Sequence, residues 1–211
     1  MRYLCIDTSG SRTSVGAVNG NKRAYLSDDG FVKASRALMP MIDSALKQVE
    51  LNIADADFVS VVIGPGSFTG IRIGVSAARA LAYALNKPVV SVNSCELAAY
   101  NSRKAKDKKV LTALDAGNGF VFSALYDGEK EIEAPRCLTL AEFETFRQAA
   151  GECEIAADAK MSEILSVPQT GGDGIIDLSE IKFERGETLP FQKADAMYVR
   201  LSQAERTAAW K

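Results

Sequence analysis

The sequence predicts an α/β protein of two similar lobes, each a mixed sheet flanked by helices. Two observations predict this class. Short apolar runs of strand-forming residues alternate with longer stretches of helical periodicity. In addition, an apolar strand that ends in Asp, followed by small residues and a second strand, occurs at Asp7 and again at Asp115, about half a chain later. A chain of 211 residues has room for one large domain or for two small lobes.

The first half of the chain is predicted to begin with an antiparallel meander. Strands are expected over 3–6, 13–18 and 23–26, with a hairpin signal at Asn19-Gly20. The next helix either starts near residue 37 or is kinked there, because Pro40 lies near its beginning. The remaining elements of this half are a buried strand over 58–63, a helix over 69–85, a strand over 88–92 and a helix over 94–102 capped by Ser94.

A basic run over 103–109 separates the two halves, so the predicted lobes are residues 1–107 and 108–211. The run is a solvated loop or, alternatively, a small patch that faces RNA. The elements expected in the second lobe are strands over 110–114 and 120–126 and a helix over 139–150. The pattern weakens after residue 157, and the tail from 191 predicts no element.

The composition excludes several kinds of chemistry. The chain contains no histidine, which rules out Ser-His-Asp and Cys-His catalysis and zinc sites that use His. Its four cysteines form no Cys-x-x-Cys motif, so neither a zinc knuckle nor a redox pair is expected. A net charge of -2 argues against a dedicated nucleic-acid-binding protein, and any RNA contact would be local or shared with a partner.

The chain is also expected to be cytoplasmic. Its first strand begins at residue 3, which leaves no room for a signal peptide. No apolar run approaches the roughly 18 residues of a membrane span.

A glycine-rich loop, GPGSFTGIRIG at 64–74, joins a strand to the start of a helix, which is a common arrangement for binding an anion. The loop matches neither the P-loop nor the dinucleotide-binding fingerprint. Glycines that permit unusual backbone angles and a helix cap at Ser67 or Thr69 explain the loop structurally. Phosphate binding is the less favoured alternative.

The helix after this loop carries a small-residue stripe, Gly70, Gly74, Ala78 and Ala82, spaced four residues apart on one face. The stripe packs either against the chain's own sheet or against another subunit. On the second hypothesis, Gly74→Leu would weaken complex formation and leave the fold intact. The residues predicted to line such an interface are Gly70, Ile71, Gly74, Val75, Ala78, Ala82, Met39 and Met41.

Two facing lobes with paired Asp-bearing hairpins resemble the actin, sugar kinase and Hsp70 superfamily, whose hairpins hold nucleotide phosphates and a metal. The resemblance makes Asp7, Thr8, Ser9, Asp115 and Gly117 candidates for weak nucleotide binding. The favoured alternative is that each Asp bonds backbone amides of its own turn.

Four motifs occur in the order seen in the TsaB (YeaZ) family of bacterial tRNA-modification proteins: LCIDTS at 4–9, the loop at 64–74, LDA at 114–116 and MYVR at 197–200. This resemblance implies a two-lobed actin-like fold and a non-catalytic dimerisation or scaffold subunit. The implied process is N6-threonylcarbamoylation of adenosine 37 of tRNA. The implied partners are a catalytic TsaD-like paralogue, a TsaE-like ATPase and a second copy of the chain. No catalytic residue and no cofactor are implied, and tRNA would be contacted only indirectly or weakly.

The chain departs from this family at three places. Ala34-Ser35 stand where the family commonly has a His, and Asp115-Ala116-Gly117 continues differently from its usual Asp-Ala-Arg motif. The segment over 157–198 is short for the family, so the second lobe is expected to be reduced. The alternative function is a small actin-like ATPase or phosphotransferase. A zinc peptidase is excluded because the chain lacks a plausible zinc ligand set.

Overall fold

Two mixed β-sheets face each other across a layer of helices in the computed structural model, which describes residues 1–28, 30, 32–102 and 108–200. The first sheet has the order β3-β2-β1-β4-β5, with β1 antiparallel to β2 and parallel to β4. Its strands are β1 (Arg2–Asp7), β2 (Ser14–Asn19), β3 (Lys22–Ser27), β4 (Phe58–Gly64) and β5 (Val89–Asn93).

The second sheet repeats most of this arrangement. Its order is β8-β7-β6-β9, with β6 antiparallel to β7 and parallel to β9. Its strands are β6 (Lys109–Gly117), β7 (Phe120–Asp127), β8 (Lys130–Thr139) and β9 (Glu154–Ala157). The order therefore matches that of β3-β2-β1-β4, and the predicted two-lobed α/β fold with a reduced second lobe is confirmed.

Helices cover both faces of each sheet. The six α-helices of the described residues are α1 (Ala34–Gln48), α2 (Phe68–Leu85), α3 (Ser94–Ser102), α4 (Leu140–Ala150), α5 (Ala159–Leu165) and α6 (Gly174–Glu184). Helices α1 and α2 pack on the outer face of the first sheet, and α4 and α5 pack on the outer face of the second. Helices α3 and α6 lie between the sheets. No helix of the described part of the chain is long and apolar enough to cross a membrane.

The C-terminal half contributes directly to the first lobe. Ile175 and Ile176 of α6 pack against Tyr3 and Phe58 of the first sheet. The predicted boundary at 107/108 adjoins residues 103–107, which lie outside the described residues, as does most of the predicted basic run. The division into lobes 1–107 and 108–211 therefore stays a prediction.

Two local predictions differ from the structure, and helix α6 was missed. Helix α1 begins at Ala34, so Pro40 lies inside it; Pro40 is on the exposed side, where water can satisfy the freed carbonyl group. Helix α3 is capped by Asn93 rather than Ser94, because the Asn93 Oδ1 atom accepts a hydrogen bond from the Cys95 N–H at 2.8 Å. Helix α6 was not predicted, since contacts on both sides give it little amphipathic pattern.

Candidate functional site

A cleft of about 710 Å³ lies between the two lobes, where the Asp-bearing turns that follow β1 and β6 meet. Four of the five residues predicted for weak nucleotide binding line it, namely Asp7, Ser9, Asp115 and Gly117. The fifth, Thr8, is buried and donates a hydrogen bond to the Gly70 carbonyl oxygen at 2.7 Å. Thr8 therefore holds α2 against β1 and is not part of the cleft lining.

Both cleft aspartates bond backbone amides of their own turns. The Asp7 Oδ1 atom accepts hydrogen bonds from the Ser9 N–H at 2.9 Å and from the Ser9 hydroxyl at 2.7 Å. The Asp115 Oδ1 atom accepts one from the Gly117 N–H at 3.1 Å. The same i to i+2 contact thus occurs in both lobes, as the structural alternative predicted. These two amides are consequently occupied and do not point freely at a ligand.

Two cleft residues that the sequence did not single out surround Asp115. The Lys160 Nζ atom lies 2.9 and 3.0 Å from the two carboxylate oxygens of Asp115. Asp158 caps α5 by accepting from the Met161 N–H at 2.9 Å, and its other oxygen accepts from the Asp115 N–H at 2.7 Å. The sequence feature that could have identified Asp158 is an Asp directly before a short helical pattern, which is typical of a helix cap. Lys160 gave none, because its pairing depends on the tertiary fold.

Asp7 has a partly buried carboxyl group whose pKa is shifted from its usual value. Burial raises its pKa, and the two hydrogen bonds from Ser9 oppose this only in part. Its folded-state pKa is therefore above the unfolded value of about 3.9. The charged form of Asp7 thus destabilises the folded chain at neutral pH, and this penalty disappears as the pH falls below the unfolded pKa.

We expect Asp7→Asn to raise the melting temperature at pH 7. The amide oxygen of Asn can still accept from Ser9, but it carries no charge to desolvate. Thermal unfolding from pH 3 to pH 8 measures the effect, and the advantage of the variant should vanish near pH 3. Asp115→Asn is the matched comparison, because it removes the charge that faces Lys160. A lower melting temperature for Asp7→Asn at pH 7 would contradict this account of Asp7.

The glycine-rich loop packs against the first Asp-bearing turn. The Ser67 N–H donates to the Ser9 carbonyl oxygen at 2.7 Å, and the Ser67 hydroxyl caps α2 by accepting from the Gly70 N–H at 3.2 Å. A Cβ atom on Gly66 would lie 2.2 Å from the Ser9 carbonyl oxygen. The glycine at this position allows two backbone segments to touch, which supports the structural explanation of the loop.

The small-residue stripe lies inside the protein. Its four members and the flanking Ile71 and Val75 are all buried. They pack against the first sheet, because β1 and β4 lie directly beneath α2. These six residues are therefore not exposed in the folded chain, and the alternative of packing on its own sheet accounts for them. A role for them at an interface stays a prediction.

The outward face of α1 and α2 remains open to solvent in the described residues. Met39 is 57% exposed and Tyr83 is 69% exposed, while Met41 is half-buried against the core. Arg72 and Ser76 are exposed on the same side of α2. Of the eight predicted interface residues, Met39 and in part Met41 thus lie on an accessible surface. We call Met39, Arg72, Ser76 and Tyr83 the outward face.

A protein-family model described as TsaD, tRNA N6-adenosine threonylcarbamoyltransferase, matches residues 33–179. This range covers more than half of the chain. The chain belongs to this family.

Curated relatives support the narrower resemblance to TsaB (YeaZ). The tRNA threonylcarbamoyladenosine biosynthesis protein TsaB of Bacillus subtilis is 34% identical over 131 residues, 60% of this chain and 55% of the relative. The protein of that name from Escherichia coli is 31% identical over 140 residues, 62% of this chain and 57% of the relative. The resemblance inferred from the motifs is confirmed, although these matches span little more than half of each relative.

A solved structure supports the fold over nearly all of this chain. YeaZ from Pseudomonas aeruginosa superimposes with a TM-score of 0.75 and covers 93% of this chain and 100% of its own, at 21% identity. Because that identity is low, the similarity concerns the fold alone. Among the described residues, no group of three or more Cys, Asp or Glu side chains is placed to hold a metal ion.

Proposed function

We propose that this chain is a non-catalytic scaffold subunit for N6-threonylcarbamoylation of adenosine 37 of tRNA, acting in the cytoplasm with a TsaD-like catalytic partner. The names of its relatives support the process, and the family match supports kinship with the transferase. The observation that carries the non-catalytic role is the use of both cleft aspartates in their own turns. In each turn the Oδ1 atom of the carboxylate is engaged in holding the turn itself, which is a structural use of the side chain.

The outward face is the proposed contact surface for that partner. Its Met39 side chain is exposed and apolar, and its Tyr83 side chain is exposed and amphipathic. Methionine adapts readily to different partners, and tyrosine is enriched in interface hot spots. The rigid core beneath α2 holds this surface in place without contributing to it.

We propose that the same face also mediates self-association, so that a second copy of the chain competes with the TsaD-like partner for it. A TsaE-like ATPase completes the proposed assembly. Any tRNA contact would be weak or indirect, in keeping with the net charge of -2.

A small actin-like ATPase is the second candidate. The cleft favours it, because Asp7 and Asp115 line one cavity with the cations Lys160 and Arg12. We propose that a nucleotide binds there only weakly, since Lys160 is already paired with Asp115. ATP turnover by the isolated chain that is lost in Asp7→Ala would favour this candidate over the scaffold.

Reconstitution of tRNA modification tests the proposal. A TsaD-like partner, a TsaE-like ATPase, tRNA and a threonylcarbamoyl-adenylate donor are combined with and without this chain, and modified adenosine is measured. We expect modification to depend on the chain and to persist with Asp7→Asn and Asp115→Asn. Equal modification without the chain would refute the scaffold role, and loss of modification with both variants would point to a chemical role for the cleft.

A further inference from the structure

Residues 197–200, the sequence Met-Tyr-Val-Arg, form a strap that lines the cleft and contacts both lobes. On the first lobe, the Met197 N–H donates to the Ile63 carbonyl oxygen at 2.7 Å. The ring of Tyr198 packs on Phe68 at the start of α2, with ring centroids 4.7 Å apart. The first half of the strap is thus attached to the first sheet and α2.

The second half of the strap is attached to the hairpin between β6 and β7. The Arg200 Nη1 atom donates to the carbonyl oxygens of Ala116 and Gly117 at 2.6 and 3.0 Å. Its guanidinium group also lies 4.0 Å from the centre of the Phe120 ring. Four consecutive residues therefore connect α2 to the Asp115 turn across the cleft.

Arg72 links the strap to the outward face. Its Nε atom donates to the Tyr198 hydroxyl oxygen at 3.0 Å, and its guanidinium carbon lies 3.9 Å from the Phe68 ring centroid. Arg72 is exposed on α2, and Tyr198 is 45% exposed. A group that docks on the outward face can therefore contact Arg72, whose bond to Tyr198 helps to hold the first half of the strap.

We propose that the strap is a latch that partner binding at the outward face releases. The proposal rests on the proposed function, which supplies the partner. Arg72 now donates to a neutral phenol oxygen, and a partner carboxylate would be a stronger acceptor. A carboxylate that pairs side-on with Arg72 takes its Nε–H together with one Nη–H, so Tyr198 loses the donor that orients it. The strap then loosens its hold on the hairpin at residues 115–120, and the cleft between the lobes opens.

Hydrogen exchange of the free chain tests whether the latch exists. In both Tyr198→Phe and Arg72→Gln we expect amides of residues 115–120 to exchange about fivefold faster than in the original chain, the factor expected for losing one hydrogen bond. Arg147→Gln is the control, because it removes an exposed ion pair on α4 and should change nothing at the hairpin. Faster exchange confined to the first turn of α2 and to the strap itself would overturn the latch.

Partner binding tests the trigger. If the partner must break the bond between Arg72 and Tyr198, then Tyr198→Phe, which lacks that bond, should bind a TsaD-like partner about fivefold more tightly. If the bond between Arg72 and Tyr198 only stabilises the fold, Tyr198→Phe should bind the partner equally well or more weakly. Either result would contradict release of the strap by partner binding. A chain that binds no partner at all overturns the proposed function instead, while the free-chain exchange still decides whether the strap is a latch.

Discussion

Gly70→Ala is expected to lower the free energy of unfolding by about 3 kcal/mol, the upper part of the range for overpacking. The added Cβ atom would lie 2.0 Å from the Thr8 carbonyl oxygen, so backbone would have to move against backbone. Alanine is a better helix former than glycine by only about 1 kcal/mol. The steric overlap therefore outweighs the gain in helix propensity. Denaturant unfolding followed by circular dichroism measures the difference.

Gly10→Ala is the matched control for this prediction. A Cβ atom on Gly10 meets nothing within 4 Å, so stability should stay within about 0.5 kcal/mol. Similar stability of the Gly70→Ala and original chains would contradict the close packing of α2 on the β1–β2 turn. The same packing corrects the expectation for Gly74→Leu, since a Cβ atom there would lie 2.4 Å from the Thr8 hydroxyl oxygen. That variant should lose the fold before it loses a partner.

Met39→Glu should weaken binding of a TsaD-like partner about 30-fold, the loss of about 2 kcal/mol that defines an interface hot spot. Met39 is exposed on α1, so the substitution should leave the fold intact while placing a charge in an apolar contact. Titration calorimetry or surface plasmon resonance measures the affinity. An unchanged melting temperature separates this effect from unfolding.

Ile164→Glu provides the comparison for Met39→Glu. Ile164 has a similar exposure, 49%, but lies on α5 at the outer side of the second sheet. Its replacement should leave partner affinity unchanged. If both variants bind equally well, the outward face is not the partner surface; if Ile164→Glu alone weakens binding, the contact lies on the second lobe.

The sequence predicted most of the first lobe because its elements carry strong local signals. The meander has a hairpin turn at Asn19-Gly20, and β4 is apolar almost throughout. The second lobe was less predictable after residue 157. There, α5 is short, and α6 depends on contacts with the first sheet, which lies far away in sequence. Strand β8 is an edge strand without a buried residue, so it has no clear alternation of buried side chains.

The candidate site, too, was predictable from the sequence only in part. The Asp-bearing turns at Asp7 and Asp115 were visible as a repeat, and the structure brings them to one cleft. Lys160 and the strap at 197–200 reach that cleft only through the fold of the second half, so their positions were not predictable from spacing.

The sequence by itself therefore determined the two-lobed α/β plan, the absence of histidine chemistry and the resemblance to the TsaB (YeaZ) family. Only the tertiary structure decided which side of α2 is available. Four small residues at helical spacing are compatible with packing on a sheet or on another subunit, because both require close approach of a second backbone. The carbonyl oxygen of Thr8 occupies the space above Gly70, so this close approach is made within the chain.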